Sequence, residues 1–189
     1  MPAKSYGNLG EEEVERRNDM PIIEGGYEYM NAGAPSAGTD EVQTLTIGGT
    51  PTGGTFKLTF DGHTTAAITW TDVDATLVAA IDAALEALSN IGTGGVTCAA
   101  GTLTSGIGTV TITFGGNLTK LAVPTITVAA NSLEGTSPTL AVAETTPGVT
   151  ATARGASKGA TLQDTTNGIL YINTGTALAP TWTKVGTQS

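Results

Sequence analysis

Cationic side chains are scarce in this sequence. It carries 8 Lys and Arg against 17 Asp and Glu, a formal charge of −9. The basic footprint that a duplex or RNA binder needs is missing, so no nucleic-acid partner is expected. The only adjacent basic pair, Arg16-Arg17, follows a run of glutamates. Charge of either sign is low, at 13% of residues, which separates the chain from disordered polyelectrolytes. The single cysteine, Cys98, excludes an intrachain disulfide framework and a thiolate metal cluster. No apolar run approaches membrane-spanning length, so no membrane partner is expected. The opening "MPAKSYGNLGEEEVERR" has no apolar stretch, and no secretory signal is expected.

Catalytic residue types are equally thin. The single histidine, His63, follows Asp61-Gly62 and reads as a turn residue. A Ser-His-Asp set would need a Gly-x-Ser-x-Gly elbow, which is absent. The glycine pairs Gly48-Gly49, Gly53-Gly54, Gly94-Gly95 and Gly115-Gly116 are not followed by Gly-Lys-Ser/Thr, and Ser157-Lys158-Gly159 has the wrong order for a phosphate loop. They read as turns and bulges. Asp72, Asp74 and Asp82 lack the mid-loop glycine of a calcium loop. No enzyme, cofactor or metal is expected. Cys98 and Trp70 read as core residues, and Trp182 as an aromatic anchor.

What the chain has in plenty is glycine, 26 residues, and threonine, the composition of β-structure with many tight turns. Residues 41–146 read as the main domain. "EVQTLTI" alternates, "GGTPTGG" reads as a turn, and "TFKLTF" sets Phe56, Leu58 and Phe60 on one face. Asp61-Gly62 marks a hairpin, because its turn needs positive φ. Ala66, Ile68 and Trp70 continue the same face. The period then changes. Leu77, Ile81, Ala84, Leu85 and Leu88 fall at helical spacing, predicting a helix over about 72–89, capped by Thr71 or Asp72. "TVTITF", "PTITVAA" and "TLAVAE" read as further strands. The fold class is α+β, mainly β: an antiparallel sheet or sandwich with one packed helix.

The ends differ from this core. Residues 1–40 read as an extended arm, with a turn or two of helix in "EEEVERR" and an irregular apolar stretch holding Ile22, Ile23, Tyr27 and Tyr29. Residues 147–160 read as a linker. Residues 161–189 read as a meander of three short strands, "ATLQD", "GILYIN" and "TWTKVG", with Asn167-Gly168 in its first turn. Alternation puts Leu170 and Ile172 on one face and Ile169 and Tyr171 on the other. So short a meander buries too little surface to stand alone. It is expected to be covered by other copies.

Two stretches carry a resemblance. "EVQTLTIGGTPTGGTFKLTFDGHTTAAITWTDVDATLVAAIDAALEALSNIG" resembles a domain that recurs in structural proteins of tailed bacteriophages. "DTTNGILYINTGTALAPTWTKVG", with its Leu-Tyr-x-Asn-x-Gly-Thr and Pro-x-Trp patterns, resembles the β-tails of phage head-decoration and head-fibre proteins. The resemblance implies a capsid decoration (cement) protein on the outer surface of the virion. Its implied partners are the major capsid protein and its own copies, in a homotrimer. Leu170, Tyr171, Ile172 and Trp182 are the expected oligomer contact. Ile22, Ile23, Tyr27 and Tyr29 are the expected capsid contact. The alternative is a head-fibre or tail-associated adhesin that binds a host glycan.

Overall fold

The computed structural model describes residues 22, 23 and 26–187, with side chains from Tyr29 onward. The helix expected in "EEEVERR" and the side chains of Ile22, Ile23 and Tyr27 lie outside the described residues. The chain is mainly β and forms two compact units, Gly38–Thr150 and a second made of Met1–Ala37 with Ala151–Ser189.

The unit Gly38–Thr150 is built around β3 (Val42–Phe60). Along its whole length β3 pairs antiparallel with β8 (Thr127–Thr146). On its other side, Val42–Ile47 pairs with β7 (Gly108–Phe114), which carries β6 (Val96–Ala100) beyond it. The far half of β3 pairs instead with β4 (His63–Thr64) and β5 (Ile68–Thr69). The Asp61-Gly62 hairpin forms as expected, with both residues at positive φ and Phe60 opposite His63.

The expected turn at "GGTPTGG" does not form; β3 runs straight through it. The burial pattern shows what those residues do instead. Gln43, Leu45, Ile47 and Pro51 are buried at odd positions, then Phe56, Leu58 and Phe60 at even ones. A strand has a side-chain period of two, so serving one core from both halves requires one inserted residue. The insertion lies between Pro51 and Gly53, where β3 advances two residues while β8 advances one, from Gly135 to Glu134. Pro51 is tolerated because neither β7 nor β5 reaches this part of β3, leaving it paired on one side only. Gly54, at φ +92°, and Gly49, at φ +75°, take backbone conformations that a side chain resists. "PTITVAA" and "TLAVAE" likewise merge into the single strand β8, with Gly135 and Pro138 inside it.

Helix α1 spans Asp74–Glu86 and buries Leu77, Ile81 and Leu85 at the predicted spacing. They join Leu45, Phe56, Leu58, Val110, Ile112, Phe114 and Ile126 in one core. The expected side-chain cap is absent; the N-cap residue is Val73. Thr71 spends its hydroxyl on the Val73 N–H, 3.2 Å away, before the helix begins. Ala66 is exposed rather than sharing a face with Ile68, because β4 and β5 are separate strands and Thr65 turns inward between them. Its hydroxyl accepts the Leu58 N–H at 3.1 Å.

The other unit is a five-stranded sheet in the order β1 (Ile22–Ile23), β2 (Gly26–Asn31), β9 (Thr161–Asp164), β10 (Ile169–Asn173) and β11 (Trp182–Lys184). The last three form the predicted meander. They are completed by β2, which pairs with β9 in parallel, with Tyr29 opposite Leu162 and Asn31 opposite Asp164. A parallel pair needs a crossover connection. Here the crossover is the entire unit Gly38–Thr150. Of the stretch 147–160, Val149 bridges to Thr39, and Ala151, Ala156 and Ala160 are buried.

Two outcomes follow from this architecture. Gly54→Ala should lower stability by about 1–3 kcal/mol from backbone strain alone, with more from the Cβ, which would land on the Ser132 carbonyl. Gly62→Ala has open space around it and should cost only about 1–2 kcal/mol; urea unfolding of both variants measures the contrast. Deleting residues 1–31 removes β2. Amides of Thr161–Asp164 should then lose their hydrogen-exchange protection, while those of β7 keep theirs.

Candidate interaction surface

The residues that carry the two sequence motifs are structural clamps. Glu41 and Gln43, from the Glu-Val-Gln start, are both buried. The Gln43 amide donates to Glu41 Oε1 and to the Pro124 carbonyl at 3.0 Å. Gln43 Oε1 accepts the Ile126 N–H at 2.8 Å, and Glu41 Oε2 accepts the Val123 N–H at 2.8 Å. The pair thus stitches the irregular segment before β8 to the start of β3. Next to it, Asp40 accepts from the Thr119 hydroxyl at 2.7 Å and forms a 3.0 Å ion pair with Lys120. Partial burial works against its charge, but these donors and the Lys120 ammonium outweigh it and hold the carboxyl below its usual range.

In the terminal unit the same part is played by Asp164 and Asn173, both buried. Asp164 Oδ1 accepts backbone N–H groups from Gly33, Thr166 and Asn167 at 2.9–3.0 Å, and Oδ2 accepts the Asn167 amide at 2.7 Å. It therefore closes the turn before β10 and ties β9 to the residues after β2. The Asn167 amide, joined by the three backbone donors, lowers its pKa despite burial. Asn173 Oδ1 accepts the N–H groups of Gly175 and Thr181 at 2.9 Å, and its amide donates to the Ala156 carbonyl at 2.7 Å. The Asn and Gly of the Leu-Tyr-x-Asn-x-Gly-Thr pattern therefore shape the loop between β10 and β11.

Register assigns every described side chain of this sheet to a face, because directly opposed residues share one. Tyr29, Leu162, Tyr171 and Lys184 form one row across β2, β9, β10 and β11. The same face carries Asp164 and Asn173, and it is covered: Leu162, Asp164 and Asn173 are buried. Trp182 lies on it too, edge-on to Tyr29 with ring centroids 6.2 Å apart, and its indole N–H donates to the Thr152 carbonyl at 3.0 Å. Met30, Gln163 and Leu170 form the neighbouring row on the opposite face, with Val185 beside Leu170 through a 2.9 Å backbone bond. Ile172 shares that face. Met30 is 53% exposed and Val185 37%, while Leu170 and Ile172 are half-buried.

The four residues expected at an oligomer contact therefore divide. Leu170 and Ile172 are on the open face; Tyr171 and Trp182 are on the covered one. Of the four expected at a capsid contact, Tyr29 is the one whose side chain is described, and it packs on Trp182. Met30 and Val185 were not among the expected contact residues. Met30 sits among residues without a regular period, and Val185 follows the end of a three-residue strand.

The remaining chemistry-bearing residues are dispersed. His63 is exposed, with Nδ1 3.1 Å from the Asp61 carbonyl oxygen. Cys98 is partly buried beside Asp82, and burial with that negative charge pushes its thiol pKa well up. Among the described residues no group of three or more His, Cys, Asp or Glu side chains is placed to hold a metal ion. No family model and no curated protein matches the chain.

Acid should act on the Asp164 node. Its folded-state pKa is depressed, so its contribution to stability is complete above the unfolded carboxyl value of about 3.9 and is lost as pH falls below it. In a Trp70→Phe background, Trp182 fluorescence should report loosening of the terminal sheet below about pH 4. Asp164→Asn should lower the melting temperature at pH 7 and flatten the acid dependence.

Proposed function

We propose that this chain is a decoration protein of a tailed-phage head, binding the outer capsid surface and bridging its subunits. The observation that carries the reading is the open apolar face of the terminal sheet, formed by Met30, Leu170, Ile172 and Val185. Single exposed apolar residues are ordinary on a protein surface. Residues grouped on one face of a sheet, opposite a covered face, suit a contact with a neighbour. In this reading the contact is made between copies, closing a homotrimer on the major capsid protein. The resemblance of both motif-bearing stretches to phage structural proteins supplies the assembly.

The mechanism is mechanical. A protein that binds only the assembled lattice stabilises it by mass action. Each bridged joint adds buried area where packaged DNA strains the shell. The formal charge of −9 suits an exterior position, away from the packaged polyanion.

Ile172→Asp and Leu170→Asp test the reading on the open face, with Thr166→Asp, in the exposed β9–β10 turn, as control. Each of the first two should reduce occupancy on undecorated capsids at least tenfold in a co-sedimentation assay, with far-UV circular dichroism unchanged; that expectation corresponds to roughly 1.4 kcal/mol. Wild-type occupancy in both variants would overturn the assignment of the face. Absence of binding by the wild-type protein itself would overturn the decoration role.

A further inference from the structure

Of the asparagines in the sequence, Asn167 is the one followed by glycine. Such a pair is reactive by its own chemistry. The amide nitrogen of the next residue attacks the side-chain carbonyl carbon and expels ammonia, closing a succinimide ring. Water then opens the ring to aspartate or isoaspartate. Glycine favours the attack because it has no Cβ to shield its nitrogen. Gly168 has open space around it and holds φ +68°. Both residues are exposed in the turn between β9 and β10, so water reaches them.

In the folded chain one residue restrains both reacting groups. The nucleophile, the Gly168 N–H, donates to the Asp164 carbonyl at 2.8 Å. The leaving group, Asn167 Nδ2, donates to Asp164 Oδ2 at 2.7 Å. The Asn167 N–H donates to Asp164 Oδ1 at 3.0 Å. Attack requires the Asn167 side chain to swing toward the Gly168 nitrogen, away from Oδ2. It also requires that nitrogen to give up its proton, and so its bond to the Asp164 carbonyl. Asp164 is itself fixed from the far end of the chain. Its Oδ1 accepts the Gly33 N–H at 3.0 Å, and the Thr165 N–H beside it donates to the Asn31 carbonyl at 2.8 Å. The turn is thus locked by the end of β2 and the residues after it.

We propose that Asn167 is a self-modification site gated by β2: it deamidates when β2 leaves β9, and the product keeps the sheet open. The reaction consumes one water and releases one ammonia. The Gly168 nitrogen loses its proton and bonds Asn167 Cγ; the bond from Cγ to Nδ2 breaks, and ammonia leaves with that proton. Hydrolysis at Cγ then restores the main chain and gives aspartate. Hydrolysis at the backbone carbonyl leaves the chain running through Cγ, as isoaspartate, with an extra carbon in the turn. Aspartate sets a carboxylate against Asp164 Oδ2, where a donor stood. Two carboxylates sharing a site resist joint ionisation, and Asp164 is buried. The clamp on Gly33 weakens, so an opening that hydrogen bonds alone would reverse becomes permanent. The proposal does not rest on the decoration role, because it concerns the turn and not the open apolar face.

The test follows Asn167 in the full-length protein by peptide mass spectrometry in mildly alkaline buffer. The blocked peptide acetyl-Asp-Thr-Thr-Asn-Gly-Ile-Leu-amide is the unclamped reference. Deamidation in the folded protein should be at least about tenfold slower than in the peptide, as for any reaction that waits on a local opening. It should accelerate with urea in step with hydrogen exchange of the Thr161–Asp164 amides. Deleting residues 1–31 should bring the rate close to that of the peptide while β7 keeps its exchange protection. Asn167→Asp stands for the product. At neutral pH it should lower the protection of Thr161–Asp164 more than Asn167→Ala, which removes the donor without adding charge. Reaction of the folded protein at the peptide's rate would overturn the gating, as would a rate that ignores urea while the β9 amides open. An Asn167→Asp variant no worse than Asn167→Ala would overturn the latch. The urea series uses the unaltered chain, so it decides the gating even where the deletion variant fails to fold.

Discussion

The parallel pairing of β2 with β9 is the contact on which the terminal unit depends. Three strands of 4, 5 and 3 residues bury little surface by themselves. The missing strand comes from the other end of the chain, and Asp164 secures it by accepting the Gly33 N–H across 131 residues of sequence. The cost is a very long loop closure. That cost grows only slowly with length, and here the intervening residues fold into a unit of their own. The ends of that unit are held side by side by the Thr39–Val149 bridge.

A second constraint operates inside Gly38–Thr150. One core must be fed by both halves of a nineteen-residue strand, and the alternation must slip by one to do so. The slip near Thr52 lets Leu45 and Leu58, each fully buried, reach the same cluster. α1 closes that core with Leu77, Ile81 and Leu85. It leaves Asp82 toward β6, where its carboxylate accepts the Cys98 N–H at 2.7 Å.

What was legible in the sequence was local. Alternation in "TFKLTF" and "TVTITF" gave buried faces at the right residues, and the change of period at Leu77–Leu85 gave the helix. Asp61-Gly62 gave its turn because positive φ leaves a mark in residue type. What was not legible was non-local or ambiguous. Nothing in "GGYEYMN" distinguishes a strand that pairs with residue 161 onward from an irregular arm, because the partner is remote. The "GGTPTGG" run has the composition of a turn, and a bulged strand uses the same residues for the same backbone freedom. Of the candidate surface, Leu170 and Ile172 were visible by alternation. Met30 and Val185 were not, since their exposure depends on register with β9 and β10. The motifs proved informative in another sense: Glu41, Gln43, Asn173 and Gly175 hold loops in place, so their spacing encodes fold.

The proposal that unites these points is that the described residues cover one face of the terminal sheet and that a neighbour covers the other. Oxidative footprinting of Met30 addresses it directly, in the free protein and in the protein bound to undecorated capsids. The account predicts rapid oxidation of Met30 when free, where it is 53% exposed, and strong protection once bound, with Trp182 little changed. Equal oxidation of Met30 in both states would contradict it.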